Sequence, residues 1–235
     1  MSDGKSIILT RIREALLDNP APLPHRAYEH GEPVDATTPS TANHVQREWL
    51  PKVGETLDDQ IGLFARQSEA LKSEFFRCPS LLAARDIVAK LTAEGSWKSI
   101  ATHSTPETSI LLEGSTASIL KTDNGYTVDA LEKCDAGVTC CECLVAQTGG
   151  VLVSGPSAGG RALSVLPPHH IVIASSSQMV PDLTAAFERI KQRYGANYPS
   201  FMSFITGPSR TGDIERILVL GAHGPKRLTV LLIEG

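Results

Sequence analysis

Ile171-Val172-Ile173-Ala174 is an apolar run without polar alternation, and a helical stretch over 180–194 separates it from the next such run, Phe201–Ile205. A strand solvated on one face alternates apolar and polar residues. A strand covered on both faces need not, and that is the habit of parallel sheets. Pro181 opens the intervening helix and Gly195 closes it, the usual asymmetry of helix ends. Similar short runs recur at Ser99–Thr102, Ser109–Leu112, Ala117–Ile119, Leu144–Val145, Val151–Val153, Ile217–Leu220 and Leu228–Ile233. Runs of this kind, alternating with helical stretches, predict an α/β fold with a mostly parallel sheet flanked by helices, preceded by a helical N-terminal region.

In that N-terminal region, Leu57, Ile61, Phe64, Leu71 and Phe75 fall on one helical stripe, which predicts a helix over 56–76. Thr56 and Asp59 stand at capping-box spacing at its start. A second helix is predicted near 80–94, capped by Ser80 and stopped by Gly95. Ile8, Ile12, Ala15 and Leu16 mark a short amphipathic helix over 6–18. Pro20, Pro22, Pro24, Pro33 and Pro39 then make residues 20–40 an extended arm. The chain of 235 residues exceeds an average domain of roughly 150. The excess reads as an N-terminal helix and proline-rich arm over 1–45, attached to one α/β domain over 46–235.

Hydrophobic residues at 41%, with 19 glycines, can bury a sizeable core. Lys+Arg 22 against Asp+Glu 26 gives a formal charge of −4, and aromatics are 5%. Neither suits a nucleic-acid binder, which needs a basic surface and stacking platforms. Asp3, Lys5, Arg11, Arg13, Glu14 and Asp18 interrupt any secretory h-region, and Val230–Ile233 is far too short to span a bilayer. A cytoplasmic protein without membrane insertion is expected. The five cysteines are Cys78, Cys134, Cys140, Cys141 and Cys143. The cluster Cys140-Cys141-Glu142-Cys143 lacks C-x₂-C spacing and a second ligand pair. No metal and no cofactor is expected, and the thiols read as small buried residues.

Gly155-Pro156-Ser157-Ala158-Gly159 matches G-x-S-x-G, the nucleophile elbow of α/β hydrolases, with Asp213 and His223 following in hydrolase order. That reading makes Ser157 a nucleophile. An elbow leads straight into a helix, however, and Pro167-Pro168 stand a few residues beyond Gly160. The same loop has a second reading. Ser154–Arg161 leaves a strand with small residues and one cation. Its backbone N–H groups can approach an anion, and Arg161 can clamp a phosphate or carboxylate. Thr206–Asp213 has the same character. Ligands of open parallel sheets bind at the carboxyl ends of the strands, and both loops are expected there. His169-His170 precedes a buried strand, so one of the two faces the site. His223, among glycines, serves as an acid/base or a ligand donor.

Several motifs occur in order over 127–235. They are Asp135-Ala136-Gly137-Val138-Thr139, then Ala146-Gln147-Thr148-Gly149-Gly150-Val151-Leu152-Val153, then Arg161, Ser164, Pro167, His170, Ile171 and Ile173 at fixed spacing. Ser209, Thr211, Asp213, Ile214 and Glu215 follow, and Gly221, His223, Gly224 and Pro225 close the series. This set resembles the LUD-domain family, in particular its stand-alone members that serve lactate utilization. The resemblance implies the fold shared by glucosamine-phosphate deaminases, ribose-phosphate isomerases and coenzyme A transferases. It also implies a role in oxidising L-lactate to pyruvate alongside iron–sulfur partner proteins. By resemblance the pocket holds Thr148, Gly149, Arg161, Ser164, His170, Ser209, Thr211, Asp213, Glu215 and His223. Ser154 joins them from the loop reading. Arg161 is then the clamp on a small anionic ligand, with Asp213, Glu215 and His223 as polar partners. Gln147 stands where the family commonly has Glu, and Gly150 where it has Thr. The alternative is an enzyme of the sugar-phosphate or coenzyme A type, for which Glu142 is the nearest nucleophile candidate at a strand end.

Overall fold

A computed structural model describes residues 50–212, 218–220 and 224–234, all within the compact unit Arg47–Gly235. The expected helix over 6–18 and the proline-rich arm lie outside the described residues. The elements run α1 (Leu57–Ala70), β1 (Glu74–Cys78), α2 (Leu81–Gly95), β2 (Ser99–Thr102), α3 (Pro106–Leu111), β3 (Ser118–Lys121) and α4 (Val128–Glu132). Next come β4 (Ala136–Cys140), β5 (Cys143–Val145), β6 (Gly150–Ser154), β7 (His169–Ser175), β8 (Met179–Val180) and α5 (Leu183–Tyr194). The chain closes with β9 (Met202–Ile205), β10 (Arg210–Gly212), β11 (Leu218–Leu220) and β12 (Arg227–Ile233).

The fold is α/β, with a six-stranded sheet ordered β1-β12-β7-β4-β2-β3 and flanked by helices. Every pairing in it is parallel. The apolar runs of β7 and β12 lack alternation because each face has its own cover. Val172, Ala174, Val230 and Leu232 join Ile61 and Phe64 of α1 and Val151 and Val153 of β6 in one core cluster. Ile171, Ile173, Leu231 and Ile233 join Ala84, Val88 and Leu91 of α2 in another. Successive residues of a strand point to opposite faces, so two helices on two sides demand apolar residues at every position.

Three segments differ from the sequence expectation. The helix predicted over 56–76 stops at Ala70; Leu71 caps it and Lys72 turns the chain at φ 67°. Glu74–Cys78 then pairs in parallel with β12, Phe75 opposite Val230. Phe75 still meets Phe64, edge to face at 5.1 Å, so the stripe reported a real contact between a helix and a strand. Ser109–Leu112, read as a strand, belongs mainly to α3. Thr105 caps that helix and Pro106 opens it, both strong start signals.

The third difference bears on the site. β5, β6 and β9 leave the parallel sheet and form a second sheet, ordered β8-β5-β6-β9. Here β5–β6 and β6–β9 are antiparallel, and Ser154 lies opposite Met202 while Val151 lies opposite Ile205. The loop after β6 and the loop after β9 therefore leave opposite ends of this sheet. The expectation that both lie at the carboxyl edge of one parallel sheet is corrected by strand direction. Among the described residues no helix is long and apolar enough to cross a membrane.

Candidate functional site

The carboxyl ends of β2, β4, β7 and β12 open onto a crevice of about 420 Å³. This lies within the ~300–1,000 Å³ range of small-molecule pockets. Ile173, Ala174 and Ile233 form part of its apolar floor. His103, Thr105 and Glu107 enter from the β2–α3 turn, Cys140 from the end of β4, Gln178 from beyond β7 and Arg193 from α5. Pro156 and Ser157 reach it from the loop after β6.

One wall is held by a buried carboxylate. Glu142, fully buried, follows β4. Its Oε1 accepts from Ser154 Oγ at 2.5 Å and Tyr194 OH at 2.6 Å. Arg193 Nη1 lies 3.0 Å from its Oε2, an ion pair that lacks the alignment of a hydrogen bond. The backbone is clamped as well: Glu142 N donates to the Leu152 carbonyl, and Arg189 Nε donates to the Glu142 carbonyl. A carboxylate enclosed on all sides cannot attack an acyl group in this conformation, so the geometry disfavours Glu142 as a coenzyme A-type nucleophile.

His103 is 4% exposed, and neither ring nitrogen has a hydrogen-bond partner. Burial lowers its pKa against the opposing pull of Asp123 and Glu107. The loop after β6 closes on it: a Cβ at Gly159, where φ is +62°, would stand 2.4 Å from His103 Cβ. His103 also borders a smaller hollow of about 160 Å³ on the α3 side.

The other expected residues are spread more widely. Ser154 sits in the Glu142 network. Arg161 is exposed and donates through Nη2 to the Ser200 carbonyl at 3.1 Å. Ser164 is buried with its hydroxyl unpartnered, outside the crevice lining. His170 lies at the amino end of β7, fully buried, with Nε2 2.9 Å from Thr139 Oγ1; this is the edge opposite the crevice. Ser209 donates its N–H to the Pro225 carbonyl, and Thr211 lies opposite Val219 in the β10–β11 pair. Asp213, Glu215 and His223 lie outside the described residues.

Thr148 Oγ1 accepts from Gly150 N at 3.3 Å, and Gly149 packs against α1 instead. Gly149 has φ +66°, and a Cβ there would come within 2.8 Å of the backbone of Gln67 and Ser68. Gly149→Ala should therefore cost about 2–3 kcal/mol through left-handed strain and overpacking. Chemical denaturation measures this, and a change near zero would remove the packing role. Gln147 likewise tethers a neighbouring segment, donating through Nε2 to the Pro51 carbonyl.

The loop 155–168 contains only turns and bends before β7. The helix that a nucleophile elbow requires is missing, and Ser157 Oγ accepts from Ser154 N at 2.8 Å. The hydrolase reading is corrected on that ground. All five thiols are unpaired. Burial pushes Cys143 up to about 12 and raises Cys141 and Cys140, so these thiols stay protonated and weakly nucleophilic. Among the described residues no group of three or more His, Cys, Asp or Glu gathers to hold a metal.

A family model described as LUD domain matches residues 61–233. The chain belongs to the LUD domain family. This LUD domain is 37% identical over 105 residues to a lactate utilization protein C from Bacillus subtilis (strain 168), covering 44% of each chain. It is 36% identical over 109 residues to one from Bacillus velezensis, covering 46% of this chain and 45% of that one. In both, the match spans about half the relative's length. A lactate utilization protein C from Geobacillus kaustophilus aligns over 238 residues at 25% identity, covering 94% of this chain and 95% of that one. The crystal structure of a DUF162 family protein from Deinococcus radiodurans superposes with a TM-score of 0.61 at 18% identity, covering 77% of this chain and 99% of that one. That likeness concerns the fold.

Sequence reading of the LUD domain missed His103, Thr105, Glu107, Cys140, Gln178 and Arg193 as crevice residues. One signal was available. Thr102-His103-Ser104-Thr105-Pro106-Glu107 follows a predicted strand and carries a helix start, which is where an open α/β sheet presents its ligand-contacting side chains. Arg193 had no local signal, because its neighbour Glu142 is 51 positions away (193 − 142).

Proposed function

We propose that this LUD-domain protein supports the oxidation of L-lactate to pyruvate beside iron–sulfur partner proteins, and binds a small anionic ligand at the carboxyl-edge crevice. The observation that carries the site is the crevice of about 420 Å³ at the carboxyl ends of the parallel strands, with an apolar floor and polar walls. Arg193, half-exposed on one wall, supplies positive charge. Family membership and the relatives named for lactate utilization support the pathway. The protein works in the cytoplasm without membrane insertion.

Deleting the gene should abolish or strongly slow growth on L-lactate while leaving growth on pyruvate unchanged. Affinity purification of the full chain from lactate-grown cells should bring down proteins containing iron and acid-labile sulfide. Normal growth on lactate, with no such proteins recovered, would overturn the assignment.

A further inference from the structure

β9 is an edge of the second sheet. It pairs with β6 on one side, and among the described residues no strand pairs with it on the other. Gly155 N donates to the Phe201 carbonyl. By the alternation of an antiparallel ladder, Phe201, Ser203 and Ile205 turn their backbone groups to β6, and Met202 and Phe204 turn theirs outward. Arg161 already satisfies the Ser200 carbonyl, so the edge is open from Met202 onward. Natural edge strands are guarded by charges, prolines or bulges. Met202-Ser203-Phe204-Ile205 has none of these.

The side chains of this edge are apolar on both faces. On the α5 face Met202 is 39% exposed. Phe187 of α5, 58% exposed, lies edge to face against Phe204 with ring centroids 5.5 Å apart, and leaves an aromatic surface beside the strand. On the opposite face Phe201 and Ile205, partly buried, pack against the core that joins α1 and β6. Around Ser203 the segment Phe201-Met202-Ser203-Phe204-Ile205 has the same character in both directions.

We propose that β9 pairs antiparallel with β9 of a second copy of this chain, with Ser203 on the twofold axis. Residues directly opposite in such a pair share a face of the sheet. In this register Met202 faces Phe204 of the second copy, Phe201 faces its Ile205, and Ser203 faces its Ser203. With the axis at Met202 or at Phe204, an apolar residue, Phe201 or Ile205, would face a serine instead. The outward backbone groups fit the same register. Met202 and Phe204 of the second copy exchange both N–H···O bonds, and the axis repeats the exchange. A twofold interface requires a patch complementary to itself, and this near-palindrome specifies a second copy as the occupant.

Sedimentation velocity of the full chain over a series of concentrations tests this. The patch is small, so the dimer should be weak, with a dissociation constant of about 10–100 µM. Met202→Lys places a charge at an exposed edge position and should weaken the dimer at least about tenfold. Under mild oxidant Ser203→Cys should form an intermolecular disulfide beyond the wild-type level, because the two copies meet at that position. Met202→Cys, which faces Phe204 of the second copy, should form far less. The wild-type series and the cysteine variants stand as tests even if Met202→Lys does not fold. A monomer at every concentration overturns the proposal and leaves the edge to a different partner. A dimer that Met202→Lys leaves unchanged, or that crosslinks through Ser203→Cys no better than through Met202→Cys, overturns it as well.

Discussion

Acidification should destabilise this LUD domain by roughly 2–3 kcal/mol per pH unit below about pH 6. The cause is the pair His169 and His170 at the amino end of the central strand β7. Burial, with Arg227 nearby, pushes the His169 pKa down to about 4 against the pull of Glu74. Burial, with His169 beside it, pushes His170 down to about 3. An unfolded histidine titrates near ~6.5. Between that value and the folded pKa values the unfolded chain binds two protons that the folded chain refuses. Stability is therefore fully present above about pH 6.5 and falls as pH drops toward 4.

The geometry explains why neither ring accepts a proton readily. Thr229 Oγ1 donates to Glu74 Oε2 at 2.7 Å, so it accepts from His169 Nε2, also at 2.7 Å. Trp97 stacks edge to face on the same ring at 5.1 Å. Nδ1 of each histidine is buried without a partner, so a proton added there gains no acceptor. Urea midpoints measured from pH 7.5 to 4.5 would show the slope. His169→Asn should remove about 1.4 kcal/mol per pH unit of it. A midpoint that stays level from pH 7 to 5 would sink the account.

Glu142→Ala should cost about 3–5 kcal/mol of folding stability. The carboxylate is fully buried, and its removal takes the charged acceptor from the Ser154 and Tyr194 hydroxyls and from one face of Arg193. Hydrogen bonds to charged groups contribute about 1.5–3 kcal/mol each, and the two hydroxyl bonds account for much of the sum. Arg193 is half solvated, which reduces its share. Glu142→Gln keeps an acceptor for Ser154 and Tyr194 but turns an amide toward the guanidinium, and should cost about 1–3 kcal/mol. Equilibrium unfolding of both variants checks the order. A loss under about 1 kcal/mol for the alanine variant would mean that the network relaxes around the gap.

Legibility in the sequence follows the range of the interaction. Ser80 and Gly95 bracket α2 correctly, and Gly195 ends α5, because caps act within a few residues. Burial on both faces was legible in Ile171–Ala174 and Leu228–Ile233, because apolar residue type at every position is all that such burial requires. The end of α1 was not legible. Phe75 continues the helical stripe, and only pairing with Val230 draws it into a strand.

The candidate site divides in the same way. Ser154 and Ser157 were legible as a loop of small residues after a strand, and the structure brings that loop to the crevice wall. Thr206–Asp213 has the same composition, yet it leaves the other end of the second sheet because β9 runs against β6. Local sequence carries no sign of strand direction. His103, Cys140 and Arg193 meet only because β2, β4 and α5 end at one crevice. The sequence by itself determined most of the strands and helices, the α/β class and the family motifs. Tertiary structure alone decided which strand ends share an edge, because strand order and direction are set by cores that join residues far apart in the chain.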